Sequence, residues 1–203
     1  MPDKPIIKQS TRILTPTEWY LLREHLNTNY QTICDVLLNT GMRVEEFWEF
    51  AAHTFVDPRN GNQHTNIWFS ASRRCIDLPE CAIGKAKCTI KQRTILLSPD
   101  GVRAVETMIS MGSSIKYIDR SNMRKVLIKS TIAAGLDPKG ITSKMFRKTL
   151  VSWLEATHPE KDVYILNSVG HSQETQHRHY LSMGFARKDV EDMRKFLHGW
   201  GST

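Results

Sequence analysis

Apolar residues recur through the first fifty positions at helical spacing. After Thr15-Pro16-Thr17-Glu18, residues Trp19, Leu22 and Leu26 fall three and four apart, the stripe of an amphipathic helix. Thr15 can accept a bond from the backbone three residues on, Pro16 suits a first helical position, and Glu18 can return a bond to the cap. That box predicts a helix running to about Asn27. Ile33, Cys34, Leu37 and Leu38 renew the pattern until Gly41 interrupts it. Val44, Phe47, Trp48 and Ala51 then mark another helix, with Arg43 at its entrance.

The period next shortens. DPRNGN at 57–62 is a turn signal, and NIWFS (66–70), CIDL (75–78), CAIGKAK (81–87) and RTILLS (93–98) read as strands of a small antiparallel sheet. Helical spacing returns at SPDG (98–101), which opens a helix carrying Val102, Val105, Met108 and Ile109. A second covers about 121–134 and stops at Gly135, and a third begins near Ser143 with Phe146, Leu150, Trp153 and Leu154 on its apolar face. Two last helices are expected at about 173–181 and 187–199. The latter carries a stripe of Val190, Met193, Phe196 and Leu197 that can pack on its own domain or on a neighbouring protomer. The pattern predicts a mainly α fold with a small antiparallel β-sheet, an α+β class, in one domain without internal repeats.

Composition narrows the functional classes. The 203 residues are 40% hydrophobic, ordinary for a globular domain. The start, MPDKPIIKQS, lacks the apolar core of a signal peptide, and no apolar run is long enough to span a bilayer, so a cytosolic protein with no membrane partner is expected. Cys34, Cys75, Cys81 and Cys88 form no C-x-x-C pair, which predicts free thiols and no structural zinc. The formal net charge of +7 is local. Between 116 and 150 stand Lys116, Arg120, Arg124, Lys125, Lys129, Lys139, Lys144, Arg147 and Lys148 against only Asp119 and Asp137. Such a concentration of cations suits a polyanionic partner.

Three separated stretches carry residues suited to phosphate chemistry. In LLNTGMRVEEFWEF, a helix entrance offers backbone N–H groups beside the Arg43 guanidinium, which can bind a phosphate bidentately. In ITSKMFRKTLVSWL, Lys144 and Arg147 are one helical turn apart. In VGHSQETQHRHY, His171 can donate to a phosphate oxygen and Tyr180, nine residues later, carries a phenol able to attack phosphorus.

The order and spacing of these stretches resemble the tyrosine recombinase family of phage-type integrases. That family's TG-x-R-x-x-E stands here as TGMRVEE, with Arg43 and Glu46 in place. Its H-x-x-R stands as KMFR, with Arg147 matched and Lys144 in the position of the usual histidine. Its L-G-H followed by a tyrosine appears as VGH, with His171 and Tyr180 in register. The resemblance spans about Leu14 to Phe196, and the K-x-x-R variant is similar to integrases of archaeal viruses. It implies a catalytic domain over 14–203 behind an N-terminal extension of residues 1–13, without the family's N-terminal core-binding domain; the chain is then either an excised catalytic fragment or a natural short form.

The resemblance implies a site-specific recombinase that cleaves and rejoins DNA through a 3′-phosphotyrosine at Tyr180. Arg43 and Arg147 would clamp the non-bridging oxygens, Lys144 and His171 would add donors, and Glu46 would support the set. No metal, cofactor or ATP is then required. The general acid for the leaving 5′-oxygen would be a lysine of the hairpin AIGKAKCTIKQRTILLS, either Lys85 or Lys87. Lys91 is expected on the turn against the DNA backbone, together with Arg93, Lys116, Arg120, Arg124, Lys125 and Lys148. The expected partners are duplex DNA and further copies of the chain, a tetramer assembled on DNA, with no small-molecule substrate. Two other readings use the same basic surface: a type IB topoisomerase-like enzyme, and a DNA-binding module with no use for Tyr180.

Overall fold

The structure is a computed structural model describing residues 4–61, 63–82, 92–112, 115, 119–170 and 184–202. It begins with a hairpin of β1 (Ile6–Lys8) and β2 (Thr11–Ile13), antiparallel with Lys8 opposite Thr11. Gln9 and Ser10 form its two-residue turn with φ of 48° and 58°, the left-handed pair that matches the twist of a hairpin. Arg12 and Ile13 are buried. The Arg12 guanidinium donates to Glu18 Oε1 at 2.6 Å and to the Asp137 carbonyl, and its amide donates to the Gly140 carbonyl at 2.8 Å. The segment expected as an extension therefore supplies a strand to the core. Two three-residue strands are too short for periodicity to reveal.

The capping box at Thr15 and Glu18 forms as expected and opens α1 (Pro16–Glu24). That helix stops short of Asn27 because Asn27 caps α2 (Thr28–Thr40), its side chain accepting from the Tyr30 amide at 3.0 Å. Gly41 ends α2 in the left-handed conformation, and α3 (Val44–Ala52) follows at once with Arg43 as its N-cap. Among the described residues the strand region holds an antiparallel sheet, as expected, and a separate hairpin. A hairpin pairs β3 (Thr54–Asp57) with β4 (Gln63–Asn66), and a three-stranded antiparallel sheet runs β5 (Phe69–Ser70), β6 (Cys75–Leu78), β7 (Arg93–Leu96). Asn66 divides the expected strand 66–70: its amide nitrogen donates to the Phe50 carbonyl at 2.7 Å and its oxygen accepts from the Trp68 amide at 3.0 Å. Of the strand expected at 81–87, Cys81 and Ala82 lie in a 3-10 turn, and the remainder falls outside the described residues.

Helices α4 (Pro99–Ser110), α5 (Met123–Ala133) and α6 (Met145–Thr157) stand close to their expected positions. Next comes α7 (Asp162–Val169), which the apolar pattern does not announce. Ile165 and Val169 are buried, but so is Ser168, while Val163 and Tyr164 are exposed, so the apolar positions form no single stripe. The helix expected at 173–181 lies outside the described residues. Finally α8 (Arg187–Phe196) packs on α6 and α1.

Helix α2 lies at the centre, against α4 and α6, with Ile33, Val36, Leu37 and Leu38 fully buried. Phe146, Leu150, Trp153 and Leu154 of α6 are buried as their spacing predicts, each worth about 1.5–3 kcal/mol of apolar transfer. The α8 stripe packs at home: Met193 and Leu197 are buried, and Phe196 meets Trp153 edge-on at 5.2 Å between ring centroids. Beyond it Trp200 is also buried, its Nε1 donating to the Leu96 carbonyl at 3.0 Å while Lys161 Nζ donates to the Trp200 carbonyl at 2.8 Å. Among the described residues no helix is long and apolar enough to cross a membrane.

Candidate active site

The site is assembled where the ends of α2 and α7 meet the starts of α3 and α6. Gly41 turns the chain out of α2 with φ of 62°. A Cβ there would lie 3.0 Å from Leu150 Cδ2 and 3.5 Å from Val169 Cγ1, so the glycine is what lets α2 end against α6 and α7. Arg43, two residues later, is the N-cap of α3. Glu46 sits at the third helical position, where its carboxylate reaches back: Oε2 accepts from the Arg43 amide at 2.7 Å and Oε1 from Arg43 Nη1 at 2.5 Å.

Arg93, from β7, approaches the same carboxylate from the other side. Its Nη1 donates to Glu46 Oε1 at 2.9 Å, its Nη2 to Oε2 at 2.6 Å, and its Nε to the Ser168 carbonyl at 3.1 Å. Ser168 belongs to the last turn of α7, and its hydroxyl accepts from the Leu96 amide at 3.0 Å. Arg147, from α6, donates through Nη1 to the Gly41 carbonyl at 2.8 Å and through Nη2 to the Val169 carbonyl. Two guanidinium groups thus tie the first motif to Ser168 and Val169, where the third begins.

The electrostatics follow from this crowding. Burial alone would raise the Glu46 pKa, but the hydrogen bonds and charge of Arg93, the charge of Arg147 and the Arg43 amide hold it at about 2, against an ordinary 4.5. Glu46 is therefore ionised at any physiological pH. Among the described residues, three guanidinium groups surround one carboxylate, which leaves the cluster cationic. The Arg43 side chain is a third exposed, whereas Arg147 is 92% buried. Such a cluster can receive a phosphate diester at its Arg43 side and neutralise charge that develops on its oxygens.

The expected residues divide into distinct groups. Arg43, Glu46 and Arg147 come together. Lys144 stands exposed at the N-terminal end of α6, unlike its neighbour Arg147, which turns inward. Arg124 and Lys125 are exposed on α5, and Arg120 lies in the single turn Arg120–Asn122 ahead of it. Lys148 is half-buried, and its Nζ donates to the Lys8 carbonyl at 3.1 Å and to Gln9 Oε1 at 3.4 Å. Burial, then the charges of Lys144 and Lys8, lower its pKa. Lys148 fastens the β1–β2 turn to α6. Lys85, Lys87, Lys91, Lys116, His171 and Tyr180 lie outside the described residues.

Arg93 does not lie on the surface. Expected on the surface facing DNA, it has a side chain only 3% exposed, with its guanidinium on Glu46. The physical reason is strand parity: Arg93, Ile95 and Leu97 alternate along one face, and all three are buried. That alternation is visible in RTILLS. Ser168, which sequence reasoning does not single out, has no such signal, because its part is played by a backbone carbonyl and a hydroxyl facing β7.

No family model matches the chain, and no curated protein sequence does. Among solved structures, the chain is similar to the crystal structure of XerA recombinase, with a TM-score of 0.57 and 15% sequence identity. The match covers 98% of this chain and 67% of that one. At this identity the likeness is one of fold: the mainly α architecture with small antiparallel sheets is shared with a recombinase along almost the whole chain.

Proposed function

We propose that this chain is the catalytic domain of a tyrosine-type site-specific DNA recombinase. The single observation that carries the reading is the convergence of its three motif stretches: Arg147 bonds the carbonyls of Gly41 and Val169, and Glu46 bonds both Arg43 and Arg93. His171 follows that junction in the chain after Gly170, with Tyr180 nine residues further on. The fold likeness to a recombinase supports it further.

In this reading Arg43 and Arg147 neutralise the charge that grows on the non-bridging oxygens as phosphorus becomes five-coordinate, with Lys144 and His171 as further donors. The Tyr180 oxygen forms a bond to phosphorus as its phenol proton passes to water, while the bond from phosphorus to the 5′-oxygen breaks. The departing oxygen takes a proton from Lys85 or Lys87 and leaves as a 5′-hydroxyl. A 5′-hydroxyl from a second strand reverses the step. One phosphoester replaces another, so no nucleotide hydrolysis is needed, and two duplexes are served by four copies of the chain assembled on DNA.

The test is a denaturing gel of the protein incubated with labelled duplex DNA nicked near the cleavage point, in EDTA. The expected result is a covalent protein–DNA band for wild type that is lost in Tyr180→Phe, with duplex binding retained. A band that persists in Tyr180→Phe, or cleavage that appears only with added divalent metal, overturns the reading.

A further inference from the structure

We infer that Arg93 is a positioning residue for strand cleavage: through Glu46 it sets the Arg43 guanidinium, and through the Ser168 carbonyl it sets the end of α7 that leads to His171. This role rests on the recombinase reading and names a residue whose work is done from behind the substrate-facing surface.

Four donors converge on the Glu46 carboxylate. Oε1 takes Arg43 Nη1 at 2.5 Å and Arg93 Nη1 at 2.9 Å, and Oε2 takes the Arg43 amide at 2.7 Å and Arg93 Nη2 at 2.6 Å. A carboxylate held by two donors on each oxygen cannot rotate without breaking two charge-assisted bonds, so Arg43 Nη1 is held at one place. Arg93 supplies half of those donors in a planar fork, which a lysine ammonium cannot reproduce.

The same fork has a third bond, from Nε to the Ser168 carbonyl at 3.1 Å. Its aliphatic stem also packs on Gly170, where a Cβ would stand 3.1 Å from Arg93 Cδ. Gly170 is the left-handed C-cap of α7, with φ of 66°, so the stem and the cap are fitted to each other with no side chain between. One residue of β7 therefore sets two parts of the site that are otherwise 122 or more positions apart in the chain. Contact with DNA is not open to a side chain 3% exposed. Stability alone does not account for the pair either, since a buried ion pair is commonly matched by apolar residues of similar volume. What apolar residues cannot do is orient Arg43.

The experiment compares single-turnover adduct formation on nicked duplex DNA, at saturating DNA, for wild type, Arg93→Lys, Arg93→Met and the double variant Arg93→Met/Glu46→Gln. Melting curves and DNA titrations accompany each. Arg93→Lys is expected to melt as a folded protein and to bind DNA with the wild-type salt slope, yet to form adduct slower by about tenfold or more, the scale of a misplaced catalytic group. In Arg93→Met the buried Glu46 loses its fork; among the described residues Arg43 and Arg147 are the other charged groups bearing on it. Its carboxyl is then expected to take a proton as pH falls below neutral, giving the cleavage rate an acid limb absent from wild type. The double variant has no carboxyl to titrate and should lack that limb.

If Arg93→Lys cleaves at the wild-type rate, or loses DNA affinity and salt slope while its saturated rate is unchanged, the positioning role is overturned. It is equally overturned if Arg93→Met and the double variant show the same pH profile as wild type. A wild type that forms no adduct overturns the recombinase reading itself, and this role with it, an outcome visible in the control before any variant is compared.

Discussion

Arg147 Nη1 lies 2.8 Å from the carbonyl oxygen of Gly41, 106 positions earlier in the chain. The bond joins the buried start of α6 to the left-handed end of α2, and it fixes the distance between the two arginine-bearing stretches. Removing Arg147 therefore takes away both a charge and a strut. Arg147→Ala leaves the Gly41 and Val169 carbonyls without this donor, which is expected to lower stability by about 2–3 kcal/mol. Arg43→Ala, at a side chain a third exposed and with Glu46 still held by Arg93, should cost no more than about 1 kcal/mol. Both should slow adduct formation by about two orders of magnitude or more, the scale of one lost transition-state donor. Chemical denaturation beside single-turnover rates separates the effects; equal destabilisation by the two variants would contradict the strut.

Glu46 makes the stability of the fold depend on acid pH. Its pKa is about 2 in the folded chain against an ordinary 4.5, so folding favours the ionised form. The sign follows: this contribution is fully present above about 4.5 and is lost as pH falls toward about 2, and its size is about 3 kcal/mol. At neutral pH, Glu46→Gln should be less stable than wild type by about 3–5 kcal/mol, because a buried guanidinium loses its partner. The difference should shrink as pH is lowered through that window. Denaturant unfolding of both proteins across the acid range checks this, and a pH-independent difference would refute it.

Gly170→Ala should be harmful beyond its one methyl group. The position has φ of 66°, and the new Cβ would stand 3.1 Å from Arg93 Cδ. The backbone cost is about 1 kcal/mol, and any adjustment of Arg93 displaces the fork on Glu46. The expected outcome is a modestly lowered melting temperature with a disproportionate loss of cleavage. A cleavage loss no larger than the fraction unfolded would argue against the coupling.

For the proposed DNA partner, affinity is expected to fall steeply with salt, since exposed cations would supply it. Arg124→Gln and Lys125→Gln, at exposed positions on α5, should each lower the slope of log K against log salt by about one if they meet a phosphate. Lys148→Gln should instead loosen the β1–β2 turn, seen as faster amide exchange there. Titrations at several salt concentrations distinguish the two, and a flat plot for wild type removes the electrostatic account.

The C-terminal turn should matter to the fold of each copy. Trp200→Ala empties a buried site and removes the bond to the Leu96 carbonyl, for an expected loss of about 3–5 kcal/mol. Thermal melting of the isolated protein at low concentration measures it. A loss of assembly on DNA with unchanged melting would mean that the residue serves a neighbour instead.

Local choices in this protein are written in adjacent residues. The box of Thr15 and Glu18, the stop at Gly41, the placing of Arg43 at a helix entrance and the apolar face of α6 each depend on neighbours within a turn or two, so spacing alone reveals them. The motif order from Arg43 to Tyr180 is likewise a property of the chain. Tertiary structure decided where side chains point and what they meet. The two strands of β1 and β2 are too short to show a period, and α7 carries its exposed apolar residues on the wrong side for one. Arg93 counts as a surface cation until its partner Glu46, 47 positions away, is brought to it. A guanidinium can be buried only where a carboxylate and carbonyls are already arranged to receive it, and that arrangement exists only once α3, β7 and α7 have packed.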